Sequence, residues 1–335
     1  MSLAQAVPVF AAAAAVLTLA GVQLARAGDE IAERAGLSRL FVGMLLVAGA
    51  TSLPEIVTDV SAAVADAPDL AVGDLFGSSM ANMAILAVVD LLHRHRVWAH
   101  VEIGHARVAS VAVALTALAT MGIVTPAGLT VGWVGVDTIA IAAAYAAAVA
   151  WMRRSPTGRF AGGELLPVPT GWTRPGRGAL RPAVLRFVAA STVILVTAPA
   201  LAYSGQSIAR ESGLGETFVG TALLALTTSL PELVASIAAV RIGAHDLAVG
   251  NLFGSNAFNM AALVLVDVAY TPAALLHAVD PSQATAGMGA ILLMALALAA
   301  LVHGTETRAR RLEPDAILLL VAYAGALFAV WSVRA

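Results

Sequence analysis

Two glutamates stand where glutamate is costly. Glu55 and Glu232 each follow a Leu-Pro pair deep inside an apolar stretch, and no Arg lies in the central part of any such stretch. An ionised side chain near the middle of a bilayer costs on the order of 3 kcal/mol or more unless it is paired or hydrated. The partner these residues require is therefore a cation. Two carboxylates at one interface suit a hard divalent ion such as Ca2+, which takes oxygen ligands. Thr51, Ser52, Ser78, Asn82, Thr228, Ser229, Ser255 and Asn259 can add neutral oxygens. Thr51 and Glu55 share a helix face, being four residues apart, and so do Ser78 and Asn82. Taken singly, each Ser, Thr or Asn would equally serve as a hydrogen bond between packed helices. Pro54 and Pro231 each remove a backbone hydrogen bond and so kink or break their helices. Gly77 and Gly254 permit a second break in the helices that follow. Such breaks survive at membrane depth where they line protein or a wet cavity, and their freed carbonyls can hold ions.

The elements that position these residues are membrane helices. Of 335 residues, 59% are hydrophobic and 12% charged, against roughly half apolar and a quarter charged in a soluble domain. Apolar stretches fall near 7–25, 37–66, 69–92, 105–123, 127–151, 184–204, 214–242, 246–269, 283–303 and 314–333. Each is too long for a strand and long enough for a spanning helix, so the expected fold is all-α with ten transmembrane helices. Met1 to Pro8 carries no basic residue and the apolar run continues to Leu24, so the first segment reads as a span rather than a cleaved leader. With ten spans, seventeen of the nineteen Arg fall in loops on one side and only Arg210 and Arg334 on the other. The positive-inside rule then puts both termini outside, with the Pro- and Gly-rich linker 153–183 in the cytoplasm as a flexible tether.

Residues 36–90 align with 213–267 at a constant offset of 177 without a gap, and 30 of the 55 positions are identical. The densest matches are TSLPE at Thr51–Glu55 and Thr228–Glu232, and DLAVGxLFGS at Asp69–Ser78 and Asp246–Ser255. Five spans precede the linker, an odd number, so the second copy enters the membrane from the opposite face. The expected organisation is residues 1–152 as a first five-helix repeat, the linker 153–183, and residues 184–335 as a second, inverted repeat. Broken helices 2, 3, 7 and 8 form its core. Inverted repeats place a substrate site at their shared interface near the midplane.

The doubled TSLPE, each followed by G[DN]LFGS[SN]xxN, resembles the alpha-repeats of the sodium/calcium exchanger family, within the cation/Ca2+ antiporter superfamily. The resemblance implies that Glu55 and Glu232 are the central metal ligands. Thr51, Ser52, Ser78, Asn82, Thr228, Ser229, Ser255, Asn259 and the carbonyls of Ala48 and Ala225 would complete the site. It also implies exchange of Ca2+ for Na+ by alternating access, with the first and sixth spans as a sliding gate. The sequence departs from the family pattern at Ala50 and Thr227, where Gly is usual, and at Asn259, where sodium/calcium members often carry Asp. Two central carboxylates balance one Ca2+, two Na+ or two H+. An H+/Ca2+ antiporter on the same scaffold is therefore the alternative, and a cation channel a less favoured one.

Other polar residues divide by position. Asp74 replaces the Asn251 of the second repeat and Asp59 replaces Ser236; both are candidates for an ion path or a proton site. Asp137 is expected near the middle of span five, bonding across helices. Asp90 and Asp267 fall at span ends, where capping or interface roles are expected. His93, His95, His100 and His105 are expected in a wet cytoplasmic loop. Absence of Cys excludes thiol chemistry. With no mid-span His, no HExxH and no Gly-x-Ser-x-Gly, an intramembrane hydrolase is not expected. No resident cofactor is expected beyond the transported ions. The partners are then Ca2+, Na+ or H+ and the lipid bilayer, with a near-neutral charge arguing against nucleic acid, and the chain is expected to be a monomer.

Overall fold

A computed structural model describes residues 2–92, 104–126, 128–154, 158–161, 164–167, 180–211, 224–303 and 314–334. The described residues are predominantly helical. The first repeat contains α1 (Leu3–Ala35), α2 (Arg39–Val64), α3 (Pro68–Leu92), α4 (Gly104–Val124) and α5 (Val136–Arg154). The second contains α6 (Leu180–Glu211), α7 (Leu224–Thr228), α8 (Leu230–Arg241), α9 (His245–Ala269), the short α10 (Leu275–Ala278), α11 (Gln283–His303) and α12 (Pro314–Arg334). Among the described residues, eight helices are long and apolar enough to cross a membrane: α1, α2, α3, α4, the Leu180–Thr197 part of α6, α9, α11 and α12. A shorter apolar stretch, Val136–Met152, lies in α5.

Local chemistry sets the turns. Gly36 ends α1 in the left-handed region at φ 68°, and Ser38 starts α2 by accepting a hydrogen bond from the Phe41 amide at 3.1 Å. The α2–α3 turn needs a left-handed residue and uses Asp66 at φ 59°; the α8–α9 turn, at the same place in the second repeat, uses Gly243 at φ 77°. One backbone turn is thus built twice with different residues, and Asp is among the few non-glycine types that tolerate it.

The layering follows burial. In α3, 83% of the most apolar stretch is buried, and in α2 and α9 67%, against 17% in α12 and in Leu180–Thr197. The inner helices α2, α3, α8 and α9 pack together, while α1 lies along α6 and against α8 at the periphery.

Several expectations are corrected. The breaks take another form. The α2 helix continues through Pro54 and instead carries a π-helical turn over Gly43–Val47. Only the second repeat interrupts its helix, at Ser229 between α7 and α8, which leaves Pro231 in the first turn of α8 where its missing N–H costs nothing. Both α3 and α9 run unbroken through Gly77 and Gly254. At Gly254 the reason is close packing. A Cβ there would lie 2.5 Å from the Met44 carbonyl oxygen, so α9 rests on the backbone of the α2 π-turn. A Cβ on Gly250 would likewise meet the Leu40 carbonyl oxygen at 2.9 Å.

The fifth helix begins at Val136 rather than near residue 127, because a two-residue hairpin, β1 (Thr130–Val131) with β2 (Val134–Gly135), precedes it. Asp137 therefore sits in the first turn of α5, not mid-span, and pairs with His277 at 3.0 Å. The linker contains a second hairpin, β3 (Gly158–Ala161) with β4 (Glu164–Pro167), so it is not tether alone. The rest of the linker lies outside the described residues. So do His93, His95 and His100. His105 is not in a wet loop: it is fully buried at the start of α4 and bonds Asp246 at 3.1 Å.

Candidate cation site

The interruption at Ser229 and the α2 segment around Ser52 face each other across the repeat interface. There each repeat's serine reaches the other repeat's glutamate. Ser52 donates to Glu232 Oε1 at 3.1 Å, and Ser229 donates to Glu55 Oε1 at 2.9 Å. Both glutamates are completely buried. Neither forms an ion pair with a basic residue among the described residues.

Further ligand candidates close around them. Asn259 donates to Glu55 Oε2 at 3.2 Å, and Ser78 and Ser52 also lie within hydrogen-bonding reach of Glu55. Ser255 reaches Glu232 Oε1 at 3.5 Å, with Thr51 beside the same side chain. Thr228 and Ser78 bring their hydroxyls to 3.4 Å of one another. The Ala48 carbonyl accepts from the Thr51 hydroxyl at 3.2 Å, and the Ala225 carbonyl accepts from the Thr228 hydroxyl at 3.2 Å. The Asn82 amide bonds neither glutamate but donates to Asn256 Oδ1 at 2.9 Å. Glu232 Oε2, Asn82 Oδ1 and Asn259 Oδ1 are buried oxygens with no hydrogen-bond donor. Buried acceptors left without a donor are costly, and these belong to side chains of the inner helices α3, α8 and α9. A hard cation satisfies such oxygens, and Ca2+ accepts this mixture of carboxylate, amide and hydroxyl ligands. No group of three or more His, Cys, Asp or Glu side chains close enough to hold a metal occurs among the described residues. The donor set is two carboxylates together with neutral oxygens.

Asp59 and Asp74 lie one turn beyond, and both are 1% exposed. Asp74 Oδ1 accepts from Thr228 at 3.5 Å, so the pair adjoins the glutamates without entering their shell. The remaining acids are structural. Asp267 accepts from the Gly135 and Leu275 amides at 2.8 and 2.7 Å and from the Thr138 hydroxyl at 2.5 Å, which fastens the β1–β2 hairpin to the end of α9. Asp90 is buried at the end of α3.

Asn256 is a site residue that the search for oxygen ligands did not single out. Its amide donates to the Ser79 carbonyl at 3.2 Å while its oxygen holds Asn82. The signal available was the single difference at that position between the two repeats.

The model for the family described as sodium/calcium exchanger protein matches residues 5–153 and 182–332. A candidate antiporter, CaxA, from Alkalimonas amylolytica is 27% identical over 315 residues, covering 91% of this chain and 92% of its own. Inner membrane protein YrbG from Escherichia coli (strain K12) is 28% identical over 269 residues, covering 79% of each chain. A solved structure of the sodium-calcium exchanger NCX_Mj superposes with a TM-score of 0.73 at 20% identity, covering 98% of this chain and 99% of the other, and so has the same fold. With both halves matched, the chain belongs to the sodium/calcium exchanger family.

Proposed function

We propose that this protein is a secondary antiporter that moves Ca2+ across the membrane in exchange for Na+, with Glu55 and Glu232 as the central ligands. The observation that carries the reading is the reciprocal pair of hydrogen bonds from Ser52 to Glu232 and from Ser229 to Glu55. Each carboxylate is held by the opposite repeat, so the two glutamates belong to one pocket shared between the repeats. Thr51, Ser78, Thr228, Ser255, Asn259 and the carbonyls of Ala48 and Ala225 complete the pocket, and Asn82 joins it when released from Asn256. The two repeats comprise residues 1–152 and 184–335, joined by the linker 153–183. Ten spans, with α7 and α8 together forming the seventh, leave both termini outside and the linker in the cytoplasm. The Arg distribution supports that orientation.

Mechanism follows from charge. Glu55 and Glu232 carry two negative charges without a basic partner among the described residues. One Ca2+ neutralises them, and so do two Na+ entering from the other side. Competition for one pocket then forbids simultaneous occupancy and couples the fluxes. The peripheral pair α1 and α6 is the element that slides across the inner helices to open one side and then the other.

The test is uptake of radiolabelled Ca2+ into proteoliposomes, driven in turn by an outward Na+ gradient and by a pH gradient with the voltage clamped. Uptake with the Na+ gradient is the expected result. Uptake driven only by the pH gradient would replace Na+ with H+ on the same two glutamates. Flux that needs no counter-ion would overturn antiport and indicate a channel.

A further inference from the structure

Asp59 and Asp74 occupy one backbone slot of the first repeat; at the offset of 177 its counterpart is Ser236 and Asn251. In the second repeat the slot is chemically complete. Asn251 donates to the Ser236 hydroxyl at 3.1 Å and accepts from the Thr51 hydroxyl at 3.2 Å. In the first repeat it is not. The Asp59 and Asp74 carboxyl groups are close enough to influence one another electrostatically, and as carboxylates both are acceptors only. Both Asp59 oxygens and Asp74 Oδ2 are buried without a hydrogen-bond donor. No Arg or His forms an ion pair with either residue among the described residues. Two buried like charges one turn from Glu55 must be compensated, either by a cation held between them or by a proton on one of them.

We propose that Asp59 and Asp74 form a second divalent-cation site, adjoining the glutamate site and present in the first repeat only. The chemistry favours Ca2+ over Mg2+. Thr228 Oγ1 lies 3.5 Å from Asp74 and Ser78 Oγ lies 3.4 Å from Thr228 Oγ1, which adds hydroxyl oxygens beside the two carboxyl groups without fixing an octahedral shell. Ca2+ tolerates irregular coordination, whereas Mg2+ demands a near-octahedral shell. Thr228 then touches both sites, so an ion can pass between them without meeting an apolar surface. On the proposed topology the acid pair lies on the outer side of the glutamates and the neutral Ser236–Asn251 pair on the inner side. The outer approach would thus be a binding station and the inner approach a polar lining.

Equilibrium dialysis of the purified full chain with radiolabelled Ca2+, in detergent and without Na+, tests this. The wild type is expected to bind a second Ca2+ per chain. The double substitution Asp59→Ser with Asp74→Asn copies the pair that the other repeat already accommodates; it should lose that ion alone. Asp59→Asn, a smaller change, should lose it too. Glu55→Gln with Glu232→Gln should instead lose the first ion and keep the second, so the two sites fail independently. A single Ca2+ per chain in the wild type, unchanged by Asp59→Ser with Asp74→Asn, would overturn the proposal and leave a proton as the shared positive charge. If only the glutamate variant binds like the wild type, the glutamate site falls while the aspartate site stands.

Discussion

The two repeats share 30 of 55 aligned positions in their central helices and the same cross-interface serine–glutamate bonds, yet their midplane chemistry differs. The first is acid-rich, with Asp59 and Asp74 beyond Glu55. The second is amide-rich, with Asn251 and Asn256 beyond Glu232. The amides consume donors and acceptors that the first repeat leaves open. Asn256 takes the Asn82 amide, so Glu232 lacks the second ligand that Asn259 gives Glu55. Inverted copies of one fold thus give two carboxylates of unequal surroundings. A symmetric backbone fixes where the ligands stand; a few substitutions decide how tightly each half holds an ion.

The largest expected effect tests what the repeats share. Glu55→Gln or Glu232→Gln should each reduce Ca2+ uptake at least about 100-fold, because removing either carboxylate leaves a buried dication undercompensated. Near-normal uptake in either variant would remove that glutamate from the site. Equal losses would mean that the unequal surroundings matter little; a smaller loss at Glu232 would match its poorer ligand shell.

Next comes packing. The α9 helix rests on the α2 backbone, and a Cβ at position 254 would sit 2.6 Å from the Met44 Cα. Backbone cannot yield as a side chain can. Gly254→Ala should therefore cost about 1–3 kcal/mol, as overpacking generally does, and lower the temperature at which the detergent-solubilised protein aggregates. Gly325→Ala, with nothing within 4 Å, is the control and should change nothing. Gly77→Ala sharpens the comparison, since an equal loss would show that α3 is approached as closely in the first repeat.

Much of this was legible in the sequence, for reasons that differ by feature. The repeat, the glutamates and their hydroxyl neighbours were readable because they are local strings. The cross-repeat direction of Ser52 and Ser229 was not, because it depends on tertiary packing between segments 174 and 180 residues apart. Proline promised a break in both repeats. Only the second has one, at Ser229, since α2 absorbs its irregularity in the π-turn instead. Hydropathy placed Asp137 mid-span because Leu129, Val131, Trp133 and Val134 are apolar, but they belong to a hairpin whose Trp133 indole donates to the Val268 carbonyl at 3.1 Å.

The loop-side anchors extend the contrast. Asp69 and Asp246 are repeat counterparts at the starts of α3 and α9. Asp69 accepts from the Asp280 amide at 2.9 Å and from the Gln283 side chain at 3.2 Å, whereas Asp246 meets the buried His105 ring at 3.1 Å. His105→Ala should destabilise the protein by about 1–3 kcal/mol through the lost buried hydrogen bond. His105→Gln, borrowing the chemistry of the other repeat, should recover part of that. Thermal unfolding followed by tryptophan fluorescence would measure both. An His105→Ala protein as stable as the wild type would show that Asp246 relies on its other contacts.

The smallest effect addresses the amide that separates the two glutamates. Asn256→Ser gives the second repeat the residue the first has at Ser79. It removes the Oδ1 that now accepts from Asn82 at 2.9 Å and frees that amide to turn toward Glu232, as Asn259 already meets Glu55. The site should become more nearly symmetric, and one hydrogen bond of about 1 kcal/mol is at stake. The concentration of Ca2+ that half-saturates uptake should therefore shift by no more than about tenfold, with the maximal rate less affected. In an Asn82→Ala background Asn256→Ser should add no further shift, because its effect runs through the Asn82 amide. A shift that survives without Asn82 would mean that Asn256 acts through the Ser79 carbonyl it also holds, at 3.2 Å, and hence through the position of α3 rather than through the ligand shell.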